Sequence, residues 1–194
     1  DLYLPGAAQV SWKYSKPYVY NGEAQTPPYT VEYEGQELTK GVDYAEKFVD
    51  NVNAGTAQLI VTGVGDCSGE LTAEFTIEGI SVTDPGVTMQ LGYTETAYNG
   101  KAQSPAVLLT SGNYILQEGT DYSLTYANNT NAGEATVTAT GMGNFSGERT
   151  EGFTITARSM ASENVKATLS GNRFAATGEA IQPGVAVQWA LTDL

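Results

Sequence analysis

The side chains that could carry chemistry in this chain are few. Its 194 residues include no histidine and a single cysteine, Cys67. The commonest general base and zinc ligand is therefore missing, and no disulfide can form within the chain. Cys67 has no basic neighbour in sequence and aligns with the aromatic Phe145 further along, which predicts a buried, inert thiol. The sequence predicts no catalytic residue and no enzyme activity.

Acidic residues are plentiful but are not arranged as a site. Asp43 and Asp121 each precede a tyrosine and lie near asparagines. A calcium site needs six or more converging oxygens, and the chain has no dense Asp-x-Asp-x-Asp loop. We expect these aspartates to cap turns by accepting backbone N–H groups. No metal and no cofactor are expected, and no pair of carboxylates across a cleft is indicated, as a glycoside hydrolase would need.

The charge balance restricts the partners. The chain has 22 acidic and 9 basic residues, a net charge of −13, and a polyanion of this kind repels phosphate backbones and anionic lipid surfaces. Apolar runs are far shorter than a bilayer-spanning helix requires, so membrane insertion is not expected. We expect neither a nucleic-acid nor a membrane partner. The chain also lacks an initiator methionine and a signal peptide, which predicts a fragment of a longer protein.

Aromatic residues near the beginning of the chain are the only candidate binding site. Trp12, Tyr14 and Tyr18 are separated by even numbers of positions, so they share a face if one strand carries them. The aligned positions in a later copy of the same sequence pattern hold Gln90, Gly92 and Thr96 instead. Two interpretations stay open: core packing or edge shielding, and a face on which a glycan or protein binds.

An internal repeat organises the whole sequence. The stretch from Tyr18 to Ile77 aligns without gaps with that from Thr96 to Ile155, and 25 of the 60 positions are identical. The shared blocks are Tyr-Asn-Gly, Gly-x-Asp-Tyr, Asn-Ala-Gly, Gly-x-Gly and Phe-Thr-Ile. A third copy begins near Val165 and stops at Leu194, the counterpart of Leu116. Copies of fixed length predict repeated structural units.

The pattern within each copy is that of short strands. Apolar residues alternate with polar ones, as in Tyr122, Leu124 and Tyr126, and this period of two is typical of half-buried antiparallel strands. We expect about seven strands per copy and an all-β fold of tandem antiparallel Ig-like β-sandwich modules with a partial third repeat. A β-grasp-like sheet is the rival fold, although it needs a helix that the pattern does not show.

Small and turn-forming residues fall between the predicted strands. Asn21-Gly22 suits a turn with positive φ, and the segment 53–55 indicates a hairpin loop of about five residues. The glycines in 63–69 should allow a sharp reversal before the last strand. Pro27 and Pro105 should open an edge strand because proline cannot donate to a ladder.

The copies define the predicted domains, which are a first β-repeat at 1–80, a second at 81–157 and a truncated third at 158–194. A linker is expected at 81–86. The third copy is too small to be stable alone, so its apolar residues need cover. The apolar residues that need cover are Val165, Leu169, Val185, Val187 and Trp189. We expect this segment to pack on the second repeat or to pair with another chain, which would allow self-association through 158–194.

Together, the shared blocks resemble the bacterial Ig-like and MBG/YDG-type repeats of large secreted and cell-wall proteins. The resemblance covers about residues 10–157 and, more weakly, 161–187. It implies an extracellular, surface-attached or secreted location and an adhesive or spacing role without catalytic residues. The expected function is a structural or adhesive repeat segment of a bacterial surface protein. A carbohydrate- or protein-binding module, and an ancillary domain of a secreted hydrolase, are the alternatives.

Overall fold

The computed structural model describes residues 2–161 and 165–189, and within them it contains strands and no helix. The all-β prediction is therefore confirmed, and the helix that a β-grasp sheet needs is absent from the described residues. Each of the two copies forms one β module with nine strands. This is more than the seven expected, because the nine include several strands that are only two or three residues long.

The first module contains β1 to β9. Their bounds are β1 Leu2–Tyr3, β2 Ala8–Trp12, β3 Tyr18–Val19, β4 Tyr29–Tyr33, β5 Gln36–Glu37, β6 Tyr44–Val49, β7 Gly55–Gly63, β8 Cys67–Ser68 and β9 Glu70–Glu78. The second module repeats them as β10 Ile80–Ser81, β11 Val87–Leu91, β12 Glu95–Ala97, β13 Val107–Ser111, β14 Tyr114–Ile115, β15 Tyr122–Ala127, β16 Gly133–Gly141, β17 Phe145–Ser146 and β18 Glu148–Thr156. A hairpin follows, with β19 Val165–Leu169 and β20 Val185–Trp189.

Each module packs a three-stranded sheet on a four-stranded one. In the first module the sheet orders are β2-β4-β5 and β3-β9-β7-β6, and the second module has the same two orders with its own strands. The long ladders β6–β7 and β7–β9 are antiparallel, as predicted. The short pairs β1–β8 and β3–β9 are parallel, and the period-two pattern gave no sign of them because side chains alternate in both kinds of strand.

The core of each module lies between its two sheets. Val31 of β4 is buried with Leu59 and Val61 of β7 in the first module. In the second, Leu109 of β13 is buried with Val137 and Ala139 of β16. Tyr122 of β15 is buried in the same core, and Leu124 and Tyr126 pack against it, so the predicted inward face of β15 is correct. Burial of these aliphatic side chains, at about 25 cal/mol per Å² of apolar surface, is the main force that holds the sheets together.

Turn residues take the conformations that their types predicted. Gly22 and Gly100 have φ values of 82° and 78°, which other residues rarely adopt. The loop between β6 and β7 spans residues 50–54, which matches the length expected for this hairpin. The glycine reversal is also confirmed at Gly63, because a Cβ there would lie 2.6 Å from the backbone nitrogen of Ser68.

Two expectations about connections are wrong. Pro27 and Pro105 are fully buried and lie just before β4 and β13. Those strands are the central members of their three-stranded sheets. The prolines therefore lie just before a central strand and not at the start of the expected edge strand. The segment expected as a linker, 81–86, is not separate from the modules either. Ile80 and Ser81 pair with β17, and Val82 is buried in the second core.

The hairpin β19–β20 has an exposed apolar face. Leu169, Val185 and Val187 are exposed, whereas Trp189 is half-buried beside Arg158, whose guanidinium lies 4.4 Å from the centre of the indole ring. The second module therefore does not cover this face, and the part of the prediction that packed it there is wrong. Pairing with another chain stays a prediction, and part of the predicted third repeat, at 162–164 and 190–194, lies outside the described residues.

Candidate functional site

The aromatic candidates come together at one end of the first module, but one strand does not carry them. Trp12 ends β2, Tyr18 begins β3 in the other sheet, and Tyr14 lies in the connection between them. All three side chains are half-buried. Their even spacing predicted a shared face, and the structure brings them together through a sheet-to-sheet crossover instead.

The rings in this cluster contact one another edge to face. The centroids of Trp12 and Tyr14 are 6.0 Å apart at an interplanar angle of 59°, and those of Tyr14 and Tyr18 are 5.2 Å apart at 84°. Trp12 also lies 5.4 Å from the core residue Phe75. Such tilted pairs stabilise one another beyond their burial. Both tyrosines are only partly exposed, and rings tilted in this way do not present a flat stacking platform.

Strand register corrects the comparison between the two copies. Trp12 pairs with Tyr29, and Leu91 pairs with Val107, the residue that aligns with Tyr29. The structural counterpart of Trp12 is therefore Leu91 and not Gln90. One extra residue before β11 shifts this stretch.

The same shift applies to the next aromatic candidate. Tyr93, and not Gly92, follows β11 at the place where Tyr14 follows β2. Tyr93 packs edge-on against Phe153, with ring centroids 6.1 Å apart. The aromatic difference between the modules is therefore smaller than an ungapped alignment indicates, although Tyr18 and Tyr29 still correspond to Thr96 and Val107.

The aspartates of the Gly-x-Asp-Tyr block cap turns, as predicted. The Thr39 N–H donates to the Asp43 carboxylate at 2.7 Å, and the Gln117 N–H donates to that of Asp121 at 2.9 Å. Tyr114 donates its hydroxyl to Asp121 at 2.9 Å. That hydrogen bond, with burial and the negative charge, raises the pKa of Tyr114. These contacts assign the repeated aspartates to the scaffold.

A buried amide network escaped the sequence reasoning. Gln103 is buried, and its side-chain amide donates to the Asn99 side-chain oxygen at 2.5 Å. Its main-chain oxygen accepts the Asn129 amide at 2.8 Å. Gln25 makes the same contacts with Asn21 and Asn51. A signal was available, because these amides are identical in both copies, and polar groups that are buried must find partners.

Burial and neighbouring groups shift the pKa values of Cys67 and Glu46 in the first module. Burial, followed by the negative charges of Asp43 and Asp66, raises the pKa of the Cys67 thiol. The predicted buried cysteine is confirmed, and a thiol so shifted is a poor nucleophile. Burial disfavours ionisation of Glu46, but hydrogen bonds from Lys40 and Tyr29 outweigh it and hold the pKa of that carboxyl below its ordinary value.

The junction between the modules is bridged directly. The Asn144 side-chain oxygen accepts the Ala54 N–H at 2.8 Å, and its amide nitrogen donates to the Asn53 side-chain oxygen at 3.2 Å. Only Gly79 separates β9 from β10, and a Cβ there would lie 3.1 Å from the Asn144 main-chain oxygen. On the second module's side of the junction, Tyr114 stacks on Phe145 of the same module, with ring centroids 6.2 Å apart.

Corresponding cavities lie at the ends of both modules. The cavity at the junction has a volume of about 300 Å³ and is lined in part by Tyr20, Gly22 and Phe145. The cavity beyond the second module has about 520 Å³. It is lined in part by Tyr98 and Gly100, the counterparts of Tyr20 and Gly22, and by Trp189 of the hairpin. The ends of the modules are therefore the concave surfaces of interest.

Neither metal-binding geometry nor a membrane-spanning helix is found in the described part of the chain. Among residues 2–161 and 165–189, no three His, Cys, Asp or Glu side chains are grouped to hold a metal ion. Within the same ranges, no helix is long and apolar enough to cross a membrane. No protein-family model, curated protein or solved structure gives a significant match to this chain.

Proposed function

We propose that this chain is a non-catalytic spacer segment of a bacterial extracellular surface protein, built from Ig-like modules joined end to end. The observation that carries the proposal is the junction, where Asn144 binds the loop at Asn53 and Ala54 and a single glycine connects the two modules. Such a junction restricts bending, which is the property that a spacer needs.

The repeated polar residues support the same proposal. Asp43, Asp121, Gln25 and Gln103 are engaged in turns and buried amide contacts, which are contacts that hold the scaffold together. The resemblance of the shared sequence blocks to bacterial surface repeats supports the extracellular location and the modular role. The strongly negative charge agrees with a segment that stays in solution and does not adhere to polyanions.

The stiffness of the junction tests the spacer function. Spin labels on Glu74 and Glu151, one in each module, would report inter-module distances in the native chain and in Asn144→Ala. We expect a narrow distance distribution that broadens in the variant. Asp66→Ala, at the counterpart position in the opposite end of the first module, is the matched control. A native distribution as broad as that of the variant would contradict a spacer.

A second candidate function is supported by the half-exposed cluster at Trp12, Tyr14 and Tyr18. In this alternative the chain binds a glycan or a cell-surface protein at that end of the first module, since tyrosines combine apolar faces with a polar tip. A glycan-array screen with native protein and Tyr14→Ala tests it. Binding that the variant loses would support a binding module, with Tyr93→Ala as the control in the second module, and no binding would leave the spacer.

A further inference from the structure

The hairpin β19–β20 has the register of the three-stranded sheet in the complete modules. Val165 pairs with Trp189 and Leu169 with Val185. Each of these residues aligns without a gap with the corresponding member of the β11–β13 ladder. Beyond the strands, the Ser170 N–H donates to the Gly184 main-chain oxygen at 2.7 Å, as the Gly92 N–H donates to that of Ala106 at 2.8 Å. The hairpin therefore has the pairing of β11 with β13, two strands of the three-stranded sheet.

In the complete modules, the sheet face that corresponds to the apolar face of this hairpin is covered. Leu109 of β13 is 0% exposed and is buried with Val137 and Ala139 of the facing four-stranded sheet. Its counterpart Val187 is 52% exposed. The described part of the hairpin thus presents the surface on which a four-stranded sheet lies in both preceding copies.

The cavity beyond the second module adds a second surface next to this face. At the first junction, the corresponding end of the module is contacted by the loop that carries Asn144 and Phe145, just before and at the start of β17. Beyond the second module, the counterpart of Ala54 is Ala132, which lines the larger cavity. The two surfaces meet at Trp189, which belongs to the hairpin and lines the cavity.

We propose that one object fills both surfaces: a β half-module of this chain's own repeat type, made of strands equivalent to β15, β16, β17 and β18, with an asparagine and an aromatic residue at the tip of its β17-like loop. Its inward residues cover Val187 and Leu169, and its tip amide binds the loop at Ala132. Each contact copies one seen between residues of this chain. A free small ligand would account for the cavity but not for the neighbouring sheet face.

The test adds the proposed half-module to the chain. Residues 117–157 of this chain are joined after Leu194, which is the sequence counterpart of Leu116, and amide hydrogen exchange is followed in β19 and β20. We expect exchange there to slow by at least about tenfold relative to the native chain, because complete modules open less often than exposed hairpins. The two existing modules serve as internal references.

Control extensions separate covering from mere attachment. In one, the added copy carries Val137→Asp and Ala139→Asp, and we expect no protection of the hairpin. In another it carries Asn144→Ala, and we expect the hairpin to remain protected while the 131–132 loop exchanges faster. The proposal is overturned if the unaltered extension leaves exchange in the hairpin unchanged, whether or not the added residues fold. It is also overturned if the native chain protects the hairpin as its concentration rises and sedimentation shows a dimer, because a second copy is then the occupant.

Discussion

The two complete modules have the same backbone but fill its interior differently. Their strand orders agree, and the glycines with positive φ recur at corresponding turns. Near Phe75 the first module packs Trp12, Phe48 and Tyr18, whereas near Phe153 the second packs Leu91, Tyr126 and Tyr93. The difference shows that turns and buried amides specify this fold, while apolar packing can vary as long as the volume is filled.

The largest expected effect comes from removing a residue that both modules share. Tyr122→Ala should lower the free energy of unfolding of the second module by about 3–5 kcal/mol, because it deletes a buried ring from a well-packed core. Tyr44→Ala should do the same to the first module. Module-resolved hydrogen exchange in urea measures both. An effect below about 1 kcal/mol at either site would contradict equivalent core roles for the two tyrosines, since it lies outside the range for core aromatic deletions.

The next largest effect is expected at the glycine where the chain reverses between the last two long strands of each module. A Cβ at Gly141 would lie 2.5 Å from the Ser146 backbone nitrogen, and one at Gly63 would meet Ser68 in the same way. We expect Gly141→Ala and Gly63→Ala each to cost about 3 kcal/mol, the upper end for overpacking. Gly152→Ala, where the nearest atom is 3.8 Å away, is the control. Thermal unfolding that shifts equally in all three variants would refute this account.

A smaller effect should distinguish the modules. Trp12→Leu gives the first module the residue type that the second module has at the corresponding position, Leu91. It removes the edge-to-face contacts of Trp12 with Phe75 and Tyr29. It should cost about 2 kcal/mol, because each such aromatic pair contributes about 1 kcal/mol beyond its burial. Urea unfolding of the first module, followed by amide exchange, checks this. Leu108→Ala, at an exposed position of β13 in the second module, is the control and is followed through the unfolding of that module. A larger loss of stability there than in the first module of Trp12→Leu would contradict the assignment.

The smallest predicted difference concerns acid. The pKa of Glu46 is held below its ordinary value of 4.5, so its ionised form stabilises the first module above that pH. This stabilisation is lost as the pH falls through the lowered pKa. Its partner Lys40 is largely exposed, so Glu46→Gln should change stability by less than about 1 kcal/mol at pH 7.

The same substitution should have no effect near pH 2. The second module has Leu124 at the corresponding position, and its acid dependence should not change. Urea unfolding of both modules at the two pH values makes the comparison. A loss of stability that is equally large in acid would mean that Glu46 acts through packing and not through charge.

Much of the fold could be predicted because turns and alternation are local properties. Gly22, Asn53 and Asp43 revealed their turns in the sequence, and the alternation in Tyr122–Ala127 revealed a shared face. The parallel edge pairs and the extra residue before β11 could not be predicted in this way, since both depend on which distant strand lies alongside. An ungapped alignment therefore pairs Trp12 with Gln90, whereas the strand register pairs it with Leu91.

The candidate site was only partly predictable. The aromatic types at Trp12, Tyr14 and Tyr18 were visible, but their edge-to-face arrangement follows from a crossover between sheets. The bridging role of Asn144 had no local signal, because its counterpart Asp66 has a similar sequence context. The two residues differ in position: Asn144 lies at the junction between the modules, whereas Asp66 lies at the end of the first module away from that junction. Contacts between modules arise from the order of the copies and not from the pattern within one copy.

The parallel pairing of β3 with β9 bears on how a module responds to tension. Tyr18 pairs with Ile77 and Val19 with Glu78, so an early strand and the last strand of the module run in the same direction. A pull on opposite ends of such a pair loads its hydrogen bonds together in shear instead of opening them one at a time. We expect single-molecule stretching to show high rupture forces for both modules, and a Val19→Pro variant to reduce them in the first module alone.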